Sequence, residues 1–202
     1  VRWRVNGRWW LAALSPLLFF AVAAPAARLV NGDWPDWSAF DRFSGAPAIG
    51  VIGLWLILVA ATGFGEEVGW RGFATPALQR THSALGASLI LSLFWMTWHV
   101  PAFFFNRSYR DMNPATYPGF FLGIACGAIV LTWLYNRSGG SLLLVAIWHG
   151  TYDLVSGARA VDGAIAAIVS ALVMVLAVVL VLAELRARRQ GEPSILGAPP
   201  AE

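Results

Sequence analysis

Six stretches of the chain stay apolar for long enough to cross a bilayer as helices, which takes about 20 residues. They are roughly 9–27, 48–70, 84–105, 118–135, 141–157 and 164–184. Between them the character changes abruptly. Residues 31–47 (NGDWPDWSAFDRFSGAP) mix turn formers with Trp and Phe, as a loop at a membrane interface does. Residues 106–117 (NRSYRDMNPATY) are polar, and 136–140 (NRSGG) read as a tight turn. From about residue 186 the sequence RARRQGEPSILGAPPAE reads as a polar, disordered tail. The pattern predicts an all-α fold, a polytopic transmembrane helical bundle of about six spans. It divides into a first span with its interfacial loop (1–47), a core (48–157), a last span (158–185) and the tail (186–202). The first span reads as an uncleaved anchor, because its apolar run is long and the Ala-Ala-Pro-Ala-Ala at 23–27 is only a weak cleavage-like site.

Composition excludes the main alternatives. The 202 residues are 58% hydrophobic and 12% charged, with a mean hydropathy of +0.63. A soluble domain of this size cannot hide so much apolar surface, and a disordered chain does not have it. The 14 basic residues are all Arg and give a net charge of +3. They stand singly or in small groups beside apolar runs rather than in one block, which fits membrane topology and not nucleic-acid binding. With the N-terminus inside, Arg2, Arg4, Arg8, Arg71, Arg80, Arg137, Arg186, Arg188 and Arg189 face the cytoplasm. Arg28, Arg42, Arg107, Arg110 and Arg159 face outward, so the positive-inside rule favours this orientation. An all-arginine basic set suits a GC-rich genome, so a bacterial cytoplasmic (inner) membrane is expected. Cys126, the only cysteine, lies in an apolar run and reads as a small buried hydrophobe.

In such a chain a titratable residue within an apolar segment is costly and needs a reason. These residues are few. Glu66, Glu67 and Arg71 lie near the end of the second segment, His99 in the third, and His149 and Asp153 in the fifth. On a helix Glu67 and Arg71 are four apart and pair on one face, leaving Glu66 rotated away from them. His149 and Asp153 are also four apart. They could be a His–carboxylate pair, two metal ligands or a pair of transition-state donors. The turn between the second and third segments centres near His82 and Ser83. Glu66 precedes that centre, and His99 follows it, by the same distance along the chain. An antiparallel hairpin therefore sets them at one depth, with Pro76 expected to interrupt the helix and leave part of 72–82 at the interface. Asp153 falls at a comparable depth past the 136–140 turn. The spacing predicts one polar pocket built from three segments.

These residues resemble the CPBP family of intramembrane proteases, also called the Abi or CAAX-protease and bacteriocin-processing family, which includes type II CAAX prenyl endopeptidases. The family pattern is two adjacent Glu with Arg four after the second, then Phe-x-x-x-His, then His-x-x-x-Asn or Asp. Here it reads EEVGWR (66–71), WMTWH (95–99) and HGTYD (149–153), all within the core 48–157. Trp95 stands where the family has Phe, and Asp153 where many members have Asn. An Asn can donate to an oxyanion, whereas an ionised Asp cannot.

The resemblance implies an endopeptidase acting on a membrane-associated protein or peptide at or in the lipid bilayer. Glu66, with His99, would polarise a water, and His149 with Asp153 would stabilise the oxyanion. Glu67, Arg71 and the aromatic Trp95 would support them. No cofactor is favoured. Zinc is the alternative, on His99, His149 and the Glu66 carboxylate with one position open to water; there is no HExxH sequence. The rival functions are a non-catalytic immunity or scaffold protein of the same fold and a small proton-relay transporter.

Overall fold

The computed structural model describes residues 3–161 and 163–198. Arg2 and tail residues 199–202 therefore lie outside the described residues. The architecture is helical, with no strand among those residues. Seven main helices follow in order: α1 (Gly7–Ala13), α2 (Ser15–Asn31), α3 (Gly50–Gln79), α4 (Ala84–His99), α5 (Tyr117–Arg137), α6 (Leu142–Gly157) and α7 (Ala164–Gln190). Side-chain caps mark several starts. Asn6 accepts from the Arg8 N–H, Ser83 from the Gly86 N–H and Ser141 from the Leu144 N–H. Gly139 and Gly140 take positive φ in the sharp turn between α5 and α6, a conformation open to residues without Cβ.

Four helical stretches are long and apolar enough to cross a membrane: Gly50–Gln79, Ala84–Phe105, Pro114–Arg137 and Ala164–Gln190. The α1–α2 pair makes a fifth if its 45° bend is one broken span. The remaining apolar segment forms α6, which has 16 residues, ten of them buried. It runs up the middle of the bundle, shielded from lipid by the others. Outside, Leu18, Leu29, Ile52, Phe73, Leu93, Phe94, Trp98 and Leu182 lie exposed, an apolar coat that water would not tolerate and lipid does. The protein is an integral membrane protein.

Two features position the site. Helix α3 carries π-type turns at Val59–Phe64 and Trp70–Ala74, on either side of Gly65–Gly69. Such turns alter which residues share a face, and they recur at functional sites. They also correct the expectation for Pro76. The helix runs through Pro76 to Gln79, because the second wide turn ends just before it and the proline falls in the first turn of the following α-helical piece. Second, α3 and α6 touch backbone to backbone. A Cβ on Gly63 would sit 2.5 Å from the Ala146 carbonyl oxygen, and one on Gly150 would sit 2.5 Å from the Val59 nitrogen. Only glycine allows this approach, and it brings His149 up to Glu67.

The chain's end differs from the expected disordered tail. Helix α7 continues through Arg186 to Gln190, and Ser194–Gly197 folds back against it. Leu196 is fully buried in the core shared by α4, α5 and α7. Composition suggested disorder, but the short apolar pair Ile195-Leu196 and a buried Glu184 override it.

Candidate active site

The three expected groups meet around one indole. Trp95, on α4 and 5% exposed, donates its Nε1–H to Glu66 Oε2 at 2.8 Å. The Arg71 guanidinium lies over the same ring, 4.6 Å from its centroid, an arrangement favoured by the ring's negative face. The His149 ring packs edge-on against Trp95 at 5.4 Å, and the His99 ring is tilted to it at 6.0 Å. The hairpin thus holds Glu66 on α3 beside Trp95 on α4, one helical turn before the His99 that the spacing sets level with Glu66.

Glu67 and Arg71 pair as the helical spacing predicts, Nη1 to Oε1 at 2.9 Å, and both side chains are fully buried. The same Oε1 also accepts from His149 Nδ1 at 2.8 Å. This contact was not foreseen, since Glu67 was matched with Arg71 alone. It fixes the ring of His149 and turns Nε2 toward Asp153, whose Oδ2 is 3.8 Å away. That distance is electrostatic contact rather than a hydrogen bond. Asp153 keeps a side chain 20% exposed, against 8% for His149.

His99 is oriented by its own helix. Its Nδ1 lies 2.8 Å from the Trp95 carbonyl oxygen. A carbonyl only accepts, so Nδ1 carries the proton and a neutral ring presents Nε2 as a lone pair. His99 and Glu66 are both half-buried, unlike Glu67 and Arg71, so these two groups remain open to a small molecule.

Sequence reasoning missed two neighbours. Tyr109 belongs to the short turn Arg107–Arg110, outside the spans, and its ring lies 6.2 Å from that of His99. Phe103 and Phe120 close around it at 5.3 and 5.5 Å. Burial first, and then the charges of Asp153 and Glu66, push the Tyr109 phenol up, so its hydroxyl stays a donor over the pocket. No periodicity marks a tyrosine in a polar loop. Thr62, beside Asp153, could have been found from its place one turn before Glu66 on α3.

A zinc ion would need Glu66, His99 and His149 to converge. Among the described residues no group of three His, Cys, Asp or Glu side chains is arranged to hold a metal ion. The residues as placed do not fit one. Beside the site, Trp70, Phe73, Leu78, Leu91, Phe94 and Trp98 line an apolar groove of about 540 Å³ between α3 and α4. Trp70 is one turn beyond Glu66, and Trp98 adjoins His99 in sequence.

Residues 47–155 match the family described as Rce1-like type II CAAX prenyl endopeptidases. That range contains every residue of the pocket named above. The CAAX prenyl protease 2 of Methanococcus maripaludis is 39% identical over 105 residues, which cover 50% of this chain and 38% of that protein. The chain thus aligns with well under half of that relative's length.

Proposed function

Since the chain belongs to the Rce1-like family of type II CAAX prenyl endopeptidases, we propose that it is an intramembrane endopeptidase that hydrolyses a peptide bond of a membrane-associated protein with a water activated by Glu66. The observation that carries this reading is the half-used Glu66 carboxylate. Trp95 holds Oε2, and among the described residues Oε1 takes no hydrogen bond, which leaves it for a water.

In this mechanism Glu66 Oε1 takes a proton from the water, aided by the lone pair on His99 Nε2. The hydroxide adds to the scissile carbonyl carbon. His149, its Nδ1–H given to Glu67, carries a second proton on Nε2 and donates it as a hydrogen bond to the oxyanion. Asp153 is the counter-charge to that imidazolium, which is how an Asp serves where an Asn would donate directly. Tyr109 supplies a further neutral donor from above. The C–N bond then breaks, and Glu66 returns its proton to the leaving amine.

The relative's name points to substrates carrying a prenyl group near the cleaved bond. The groove between α3 and α4 supports that class. It is lined almost entirely by apolar side chains, among them Trp70, one helical turn after Glu66, and Trp98, the neighbour of His99 in sequence, and we infer that a prenyl chain lying there would lead its peptide toward the pocket.

The test is cleavage of a prenylated peptide by purified protein in proteoliposomes. Glu66→Gln should lower the rate by ~10²–10⁴-fold, the usual contribution of a general base, with an unchanged melting temperature. An unaltered rate would exclude Glu66 as the base, and a folded wild type that binds the peptide without cutting it would point to a scaffold. Stripping metals with a strong chelator should leave the wild-type rate intact; loss restored by zinc would overturn the metal-free mechanism.

A further inference from the structure

The start of α1, the end of α3, the end of α5 and the end of α7 lie together at one end of the bundle, away from Tyr109 and the pocket. Gln79 and Asn136 exchange side-chain hydrogen bonds there, and Asn136 Nδ2 also donates to the Leu196 carbonyl at 2.8 Å. Between these elements is a cleft of about 370 Å³ lined by Arg8, Trp9, Ala12, Trp133, Arg137 and Ile195.

We propose that this cleft binds the phosphate-bearing headgroup of an anionic phospholipid. Arg8 and Arg137 supply the charge. Among the described residues neither has a carboxylate within ion-pair reach, whereas Arg71, Arg107 and Arg188 each do. Two uncommitted guanidiniums facing one cleft match a phosphate, which accepts their forked donors. The surroundings favour a lipid over a free anion. Trp9 and Trp133 meet edge to face at 5.5 Å, and the Arg8 guanidinium lies 5.0 Å from the Trp9 centroid. Indoles at a helix end mark the headgroup level of a bilayer, and Ala12 and Ile195 add an apolar wall for the first carbons of a lipid.

The wall is built rather than incidental. The Ile195 N–H donates to Glu184 Oε2 at 2.7 Å and the Leu196 N–H to the same oxygen at 3.1 Å. The returning chain segment is thereby fixed against the cleft. Arg80, Arg186 and Arg189 stand at the same end and raise the local concentration of anionic lipid without lining the cleft.

The experiment compares lipid retention by native mass spectrometry and melting temperature in detergent, with phosphatidylglycerol, phosphatidylcholine or inorganic phosphate added. Wild type should retain phosphatidylglycerol and melt higher with it, and should respond to neither phosphatidylcholine nor phosphate. Arg8→Gln with Arg137→Gln should weaken phosphatidylglycerol binding by at least ~10-fold, the loss of charged hydrogen bonds to one group. Arg186→Gln with Arg189→Gln removes equal charge from the same end outside the cleft, and should change binding by less than about twofold, the scale of screened surface charge. Arg8→Lys with Arg137→Lys keeps charge and folding but loses the forks, and should fall between the two. Equal loss in both Gln pairs would reduce the effect to bulk charge. An equal response to inorganic phosphate would make the cleft an anion site, and an equal response to phosphatidylcholine would remove the role of lipid charge. Each of these results overturns the proposal.

Discussion

Two carboxylates, the half-buried Glu66 and the fully buried Glu184, are held in opposite ways. Glu184 is completely buried and surrounded by four donors: Arg188 Nε, Ser194 Oγ and the N–H groups of Ile195 and Leu196. Every donor comes from within twelve residues, so the carboxylate is saturated by its own chain segment and locks that segment down. Glu66 has one strong donor, the Trp95 indole from 29 positions away, and stays half-buried with an oxygen to spare. Between them stands Glu67, whose Oε1 serves both Arg71 and His149. A buried acid with all its lone pairs taken is structural. One left under-coordinated beside two oriented imidazoles can exchange a proton.

The sharpest way to break this contrast is to neutralise both acids in turn and follow turnover. Glu66→Gln is expected to lose ~10²–10⁴-fold in cleavage, whereas Glu184→Gln in the same assay should stay within about twofold. Comparable losses would mean that saturation of a carboxylate says nothing about its role. Next in size is Arg71→Met. It removes the guanidinium from buried Glu67, leaving His149 as the one cationic partner among the described residues, while preserving the bulk of the side chain. Removing one partner of a buried pair costs about 3–5 kcal/mol. Unfolding in detergent should show that loss, along with impaired cleavage, since His149 is oriented by the same Glu67 oxygen.

The sequence made the site legible through scarcity. In a chain with so few charges in apolar runs, Glu66, Glu67, Arg71, His99, His149 and Asp153 stand out, and equal spacing from a turn sets Glu66 level with His99, whereas the residue that α4 puts against Glu66 is Trp95, one turn earlier. What periodicity cannot carry is a contact between segments: the Glu67–His149 bond depends on the glycine-to-backbone contact of α3 with α6, which only the packing reveals. Apolarity alone does not tell that α6 is enclosed by other helices, because burial by protein and burial by lipid select the same side chains. The tail was misread because composition averages over windows. Two apolar residues, Ile195 and Leu196, have backbone N–H groups that gain a partner in Glu184, the last residue of the apolar run 164–184, and nothing in the pattern pairs that charge with the tail.

Trp95 tests the active-site half of the comparison at finer grain. It stands at a position where the family pattern has Phe, so Trp95→Phe keeps an aromatic ring under Arg71 and against both imidazoles but removes the N–H that holds Glu66 Oε2. A hydrogen bond to a charged group contributes about 1.5–3 kcal/mol, and a carboxylate free to swing would recover part of it through water. The expected result is a roughly tenfold fall in kcat with KM little changed, because the indole holds the carboxylate proposed as the base. A change in KM alone would mean that Trp95 shapes the binding surface instead.

The smallest effect is expected at the other end. Ser194→Ala deletes one of the four donors to Glu184 and leaves Arg188 and two backbone N–H groups in place. The loss of one bond among several should cost about 1 kcal/mol, read as a modest drop in unfolding free energy. Cleavage should not move, since Ser194 bonds only Glu184 and the Gly197 N–H among the described residues and touches none of the pocket. The hydroxyl also accepts from the Gly197 N–H at 2.8 Å, so hydrogen exchange should rise first at Ile195, Leu196 and Gly197 and spare α3. If exchange instead rose in α3, the Leu196–Asn136–Gln79 bridge would be transmitting strain from the clasp into the helix that carries Glu66, and the two carboxylates would be coupled parts of one device rather than contrasting solutions in one bundle.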